Sequence, residues 1–387
     1  MLTAGLAGGL ANFRVDLGLL PQTAEFVCGV IRDNYADLKV PLHARWRHFV
    51  FNGHDLWNQA AGQVPWRDAQ TRARAEFDLA IVSVLLDAGA GGEWRYRDKA
   101  TGLSVGRSEG LALASLRMFE AGLFSDDPRN PLRADARRLA ALTAGELAQG
   151  FAVDSANPMT GIEGRAALLV RLGRSLLENP VFALRDSARP GGLFDHFAAT
   201  AAGKALPAPD ILRQLLMHFA PIWPDRLTLG GLSLGDTWRH SAIRRPDASN
   251  GLMPLHKLSQ WLTYSLIEPL QRAGIAVSDV DGLTGLAEYR NGGLFLDSGV
   301  IALREPKRGA EPHAVDSELV VEWRALTIAL LDRLAPLVRD RLGVTREAFP
   351  LGALLEGGTW AAGRKLARQL RVDGGPPFRI VSDGTVF

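Results

Sequence analysis

Between Leu255 and Ile301 the chain reads LHKLSQWLTYSLIEPLQRAGIAVSDVDGLTGLAEYRNGGLFLDSGVI, and this stretch constrains the fold most. In its first half Leu258, Trp261, Leu262, Ser265 and Leu266 recur at spacings of three and four. That spacing places them on one helix face. Pro269 and then Gly274 are expected to end the helix. The second half puts Glu288, Tyr289, Arg290, Asn291, Gly292, Gly293 and Asp297 within ten residues, between apolar runs. Paired glycines let a backbone turn at positive φ or approach a ligand closely. One reading is a buried ion pair at a tight turn. The preferred reading is a polar site set into an apolar core.

Length and composition narrow the class. A chain of 387 residues can form one large domain or two ordinary ones. Its hydrophobic content of 47% and charged content of 22% suit a soluble globular protein. No apolar run approaches the roughly 18 residues that a membrane span needs, and MLTAGLAGGL carries no cationic leader. The single cysteine, Cys28, excludes an internal disulfide and a cysteine zinc site. These features point to a cytoplasmic enzyme or binding protein. Net charge is only +2, with basic and acidic residues interleaved, so a duplex-binding stripe is not expected. Only six of the 44 basic residues are lysine, which singles out Lys257 beside an apolar helix. A protein so rich in arginine suits discrete anion contacts.

In chain order, helix periodicity predicts helices over 21–39, 68–88, 109–121, 160–180, 318–338 (interrupted near Pro336) and 349–371. Short hairpins are expected in EWRYRDKATGLSVGRSEG and LTLGGLSLGDTWRH, and a strand with an Asp-Gly turn at the end of the chain. About ten helices against three or four strand pairs make a mainly α protein with small β hairpins. The small-residue stretch 183–210 is the best lobe boundary, giving an N-terminal helical lobe, 1–205, and a C-terminal lobe, 206–387, with the site motifs. Acids Glu109 and Glu163 open two helices, where they complement the helix dipole. In Arg45-Trp46-Arg47-His48, stacking on a ligand and ordinary surface pairing are equally open.

No P-loop, strand–GxGxxG–helix unit, HExxH or GxSxG elbow is present, and the eight histidines are scattered. No metal site and no organic cofactor are therefore expected. What remains are carboxylates among glycine and aromatic residues: Asp236 in GDTW, Glu288 in EYRNGG, Asp297 in LDSG, Glu356 in LEGGTW and Asp383 in SDGT. Carboxylates beside tryptophan and cationic anchors match the needs of glycosyl cleavage, in which oxocarbenium charge is stabilised and the leaving group assisted.

The strings HKLSQWLTYSLIEPL, LAEYRNGGLFLDSGV, SELVVEWRALT, FPLGALLEGGTWAAGR and the terminal IVSDGTVF carry a resemblance to the uracil-catabolism (Urc/Urg) family over nearly the full length. This resemblance implies action after uracil ring opening: cleavage of ribosylurea, or its 5-phosphate, between ribose C1 and the urea nitrogen. A looser similarity joins HKLSQWL and EYRNGG to queuosine-salvage nucleoside glycosylases. It implies a helix-hairpin-helix glycosylase-like core in the C-terminal half, with Asp236 as the catalytic acid upstream of Lys257. The flanking GDTW differs from that pattern. On this reading Asp236 stabilises the ribosyl cation and orients water. Glu288 or Asp297 bonds the ribose hydroxyls or assists the leaving urea. Trp238 and Trp261 wall the site, Lys257, Arg290 and Arg364 hold a 5-phosphate, and Asn291 and Glu356 add polar contacts. The alternative is a non-catalytic protein that binds the same small molecule and passes it on.

Overall fold

Apolar residues at helix spacing dominate the sequence, and the computed structural model, describing residues 1–223 and 225–381, is mainly helical. Among the described residues there are fifteen α-helices and seven two-stranded pairings. The expectation of about ten helices and three or four pairs was low on both counts. Among the described residues no sheet exceeds two strands, so no continuous parallel sheet of several strands forms. Hairpins occur at Tyr96–Arg97 with Ser104–Val105 and at Thr228–Leu229 with Leu232–Ser233, inside the two stretches read as hairpins. The strand Arg379–Val381 pairs parallel with Pro312–Ala314, and the expected Asp-Gly turn with Asp383 lies outside the described residues.

Contacts group the chain into two units. One comprises Met1–His43, Arg226–Gln260 and Val280–Val381, and the other Ala44–Asp225 with Trp261–Asp279. Both are discontinuous in sequence, unlike the continuous lobes 1–205 and 206–387. In the first unit, strand Phe13–Val15 pairs antiparallel with Ile301–Leu303. Helix Leu20–Asn34 packs on the long helix Glu318–Leu342. That long helix buries Leu319, Val320, Trp323, Leu326, Leu330 and Leu334. Each such side chain contributes about 1.5–3 kcal/mol when taken from water. Pro336 does not interrupt it, contrary to expectation: Ala335 and Val338 on either side are buried. Packing there offsets the roughly 3 kcal/mol a mid-helix proline costs.

The second unit is organised on helix Ala69–Leu85, whose residues from Ala75 to Leu85 are all buried. The stretch is buried on every side, with Glu76, Asp78 and Ser83 bonded inside the unit, so it belongs at a core. Helix Lys257–Arg272 begins in the first unit and continues in the second. It passes through Pro269 instead of ending there, because Leu266, Ile267 and Leu270 are fully buried on the same element. Gly274, at φ +87°, comes just beyond its end.

Candidate functional site

Gly235, at positive φ, turns the chain into the short strand Thr237–Arg239 and leaves Asp236 buried in the first unit. Both carboxylate oxygens are held by one guanidinium: Arg324 Nη1 donates to Oδ1 at 2.8 Å and Nη2 to Oδ2 at 2.7 Å. Trp238 Nε1 adds a bond to Oδ1 at 2.7 Å, and the Lys257 backbone N–H one to Oδ2 at 2.9 Å. The Asp236 carbonyl accepts from the backbone of Leu255 and His256. One residue thus fixes where helix Lys257–Arg272 starts. Burial alone would raise the Asp236 pKa, but Arg324 and the added donors hold it well below the usual carboxylate range. Arg226 lies over the Trp238 ring at 5.0 Å.

His256, just before that helix, sits at φ +48°, a conformation costly for a non-glycine residue. Its pKa is lowered, first by burial and also by Arg324, against the pull of Asp236, so the ring is neutral near pH 7.

The EYRNGG segment is a helix start, not a tight turn. Glu288 is the N-cap of helix Tyr289–Asp297, accepting from the backbone N–H of Arg290 at 2.8 Å and of Asn291 at 2.6 Å. Gly292 is helical, and a Cβ there would come within 2.7 Å of the Trp323 ring. The first glycine of the pair therefore serves packing against the long helix, with Trp323 Nε1 donating to the Gly292 carbonyl. Arg324 Nε also donates to the Ala287 carbonyl at 3.1 Å, which ties Asp236 to the residue preceding Glu288. Asn291 is fully buried, and its Oδ1 has no hydrogen-bond partner among the described residues. An unmet buried acceptor costs about 1–3 kcal/mol.

Asp297 lies at the other end of this nine-residue helix, about 13 Å of rise from its cap at 1.5 Å per residue. Its oxygens take two bonds from Arg371, at 2.8 and 2.6 Å. Beside it is a small concavity lined by Arg290, Gly293, Arg364, Arg371 and Gly375. The Arg290 guanidinium stacks on Trp360 at 4.1 Å, and Arg364 lies over the same ring at 5.6 Å.

Glu356 falls in a single π-helical turn, Leu355–Thr359, and meets His43 Nδ1 at 2.6 Å. The His43 ring packs on Trp360 at 5.7 Å. Trp261 belongs to the second unit, where Arg45 lies over its ring at 5.1 Å and His48 meets it edge-on. Arg45 is fully buried and bonded to Ser83 and Asp87, and Arg47 pairs with Glu268. The Arg47–Glu268 pair fits the pairing reading, whereas Arg45 pairs with buried Asp87, which neither reading expected.

The structure therefore joins Asp236, Trp238 and the Lys257 backbone at one node, and brings Arg290 and Arg364 to one concavity, while Asp297 pairs with Arg371 beside it. Arg324, His256, His43 and Arg371 were absent from the sequence reading. Arg324 left one signal: a lone guanidinium in the apolar run LVVEWRALTIALL. Among the described residues no group of three or more His, Cys, Asp or Glu could hold a metal ion, and no helix is long and apolar enough to cross a membrane.

Fold and site define a mainly helical protein whose polar interior is built from arginine–carboxylate pairs. The family model described as "Protein of unknown function (DUF1688)" matches residues 1–387, and the chain belongs to that family. It is 40% identical to "Protein urg3" of Schizosaccharomyces pombe, covering 98% of this chain and 92% of that protein. It is 36% identical to "Uracil catabolism protein 4" of Lachancea kluyveri, over 97% of this chain and 92% of the relative.

Proposed function

We propose that this protein acts in uracil catabolism as an N-glycosidase, hydrolysing the bond between ribose C1 and the urea nitrogen of ribosylurea or a close derivative. The name of the Lachancea relative supports the pathway. The observation that carries the chemistry is Asp236, a buried carboxylate kept ionised and immobile by four donors. A fixed negative charge beside a developing ribosyl cation stabilises the transition state without reorganisation. Water attacks C1, and the departing urea nitrogen takes a proton. That proton is the one the attacking water loses, with His256 and Glu288 as the groups proposed to relay it and to meet the ribose hydroxyls. Asn291 Oδ1 offers a further acceptor, while Trp238, Lys257 and Glu356 keep their proposed substrate contacts. The helix-hairpin-helix reading belongs to the same proposal and rests on the segment around Asp236 and Lys257.

One observation favours a second reading. Arg324 neutralises Asp236 in a bidentate pair, so the carboxylate is also accounted for as structure, and the protein would then bind the small molecule without turning it over. Incubating purified protein with ribosylurea and measuring released urea separates the two. Urea release that collapses in Asp236→Asn supports hydrolysis. Ligand binding by the wild type with no urea released supports the second reading.

A further inference from the structure

We propose that His240 and Glu322 are positioning residues that fix Asp236 against the long helix Glu318–Leu342. The inference rests on the preceding reading that Asp236 is the carboxylate at the reacting bond. Side chains alternate along a strand, so Asp236, Trp238 and His240 share one face of Thr237–Arg239. All three are buried, whereas the intervening Arg239 is exposed. Arg324 grips Asp236 at the near end of this strand through two bonds. At the far end His240 Nε2 lies 3.3 Å from Glu322 Oε2, within electrostatic reach although not aligned as a hydrogen bond. Glu322 stands two residues before Arg324 on the same helix. One turn earlier, Glu318 accepts from the Ser241 backbone N–H at 2.7 Å. A strand gripped at one end can pivot about that grip, and a second fastening at the other end stops it.

Both partners in this second fastening are themselves held. The Ala242 backbone N–H donates to His240 Nδ1 at 3.0 Å, so the ring proton sits on Nε2, facing Glu322. Glu322 is fully buried and accepts from the Asn12 backbone at 3.1 Å, the Asn12 side-chain amide at 3.0 Å and the Phe13 backbone at 2.8 Å. It cannot turn away without leaving buried donors unmet. The His240 backbone N–H also donates to the Gly251 carbonyl at 2.8 Å. That bond ties the strand to its partner Leu252–Pro254, which leads into helix Lys257–Arg272. The far fastening therefore bears on the carboxylate and on the helix start together. A misplacement of about 1 Å in a reacting group can cost ~100-fold in rate.

The test is hydrogen exchange at the Trp238 indole N–H, which donates to Asp236 Oδ1 and so reports where that carboxylate stands. Trp323 is the control in the same unit, its indole bonded to the Gly292 carbonyl. His240→Asn keeps an acceptor for the Ala242 N–H but is too short to meet Glu322, whereas His240→Gln restores a donor toward it. His240→Asn should speed exchange at Trp238 by at least about tenfold and leave Trp323 near wild type. His240→Gln should stay within about threefold of wild type at both. In urea release, His240→Asn should lower kcat at least about tenfold with KM changed less than about threefold, and His240→Gln should recover kcat. Glu318→Ala, at an exposed position, removes the Ser241 bond and decides the matter if the His240 variants fail to fold. It should speed exchange at Trp238 alone, by about threefold. Equal acceleration of both indoles would overturn the inference, because His240 would then only stabilise the fold. Indistinguishable Asn and Gln variants, or an unchanged kcat in His240→Asn, would overturn it as well. A wild type that releases no urea removes the glycosidase reading, and the exchange measurement still decides whether His240 and Glu322 fix Asp236.

Discussion

Two arginine–carboxylate arrangements in the first unit set the same groups in different surroundings. At Asp236 and Arg324 one charge meets one charge, both are buried, and every oxygen position is taken. At Arg290, Arg364 and Arg371 three guanidiniums line an open concavity, with Asp297 bonded to one of them. A closed, balanced pair holds backbone in place: here the start of helix Lys257–Arg272 and the Ala287 carbonyl. Residue type is the same in both, and enclosure differs.

The sharpest way to break the comparison is to unbalance the closed pair. Arg324→Met leaves Asp236 buried without its counter-charge and should cost about 3–5 kcal/mol of stability in denaturant unfolding. A loss below 1 kcal/mol would mean water reaches the pair. Next in size is Asp236→Asn, which keeps shape while removing charge and should cut turnover at least ~100-fold, about 3 kcal/mol. Binding of the uncharged ribose moiety should change far less.

Gly363→Ala should be milder, costing about 1–3 kcal/mol through overpacking against the Arg290 carbonyl, read as a lowered Tm. Unchanged stability would show that helices Tyr289–Asp297 and Trp360–Leu370 separate easily.

The smallest effect is acid sensitivity. The Asp236 pKa is lowered in the folded protein, so its stabilisation is complete above the unfolded value near 3.9. That stabilisation is lost as pH falls through the folded value. His256 is also lowered, so the unfolded chain binds its proton first and stability declines as pH drops below about 6.5. His256→Gln should flatten the stability–pH curve just below about 6.5 and leave the steeper loss below about 4. A variant that tracks the wild type throughout would remove His256 from the account.

Helices were largely legible before any coordinates. The pattern 68–88 corresponds to Ala69–Leu85, and 160–180 to Ile162–Glu178, because long apolar periodicity reports burial directly. Glu109 and Glu163 lie in the first turns of their helices, as the dipole argument expected. Proline and glycine misled where packing prevailed. Pro269 and Pro336 sit within continuous helices, and Gly292 makes room for Trp323, a partner 31 residues away. Site residues were legible as chemistry but not as partnerships. Asp236 and Arg324 are 88 positions apart, and Asp297 and Arg371 are 74 apart, beyond what spacing can pair.

The most direct test of the contrast between the two arrangements is urea release from ribosylurea by wild type, Asp236→Asn and Asp297→Asn, each checked for folding. The account predicts release by the wild type, a fall of at least ~100-fold in Asp236→Asn, and a fall of less than about tenfold in Asp297→Asn, because that carboxylate orients Arg371 and does not meet the reacting bond. Equal losses in the two variants, or a greater loss in Asp297→Asn, would contradict it.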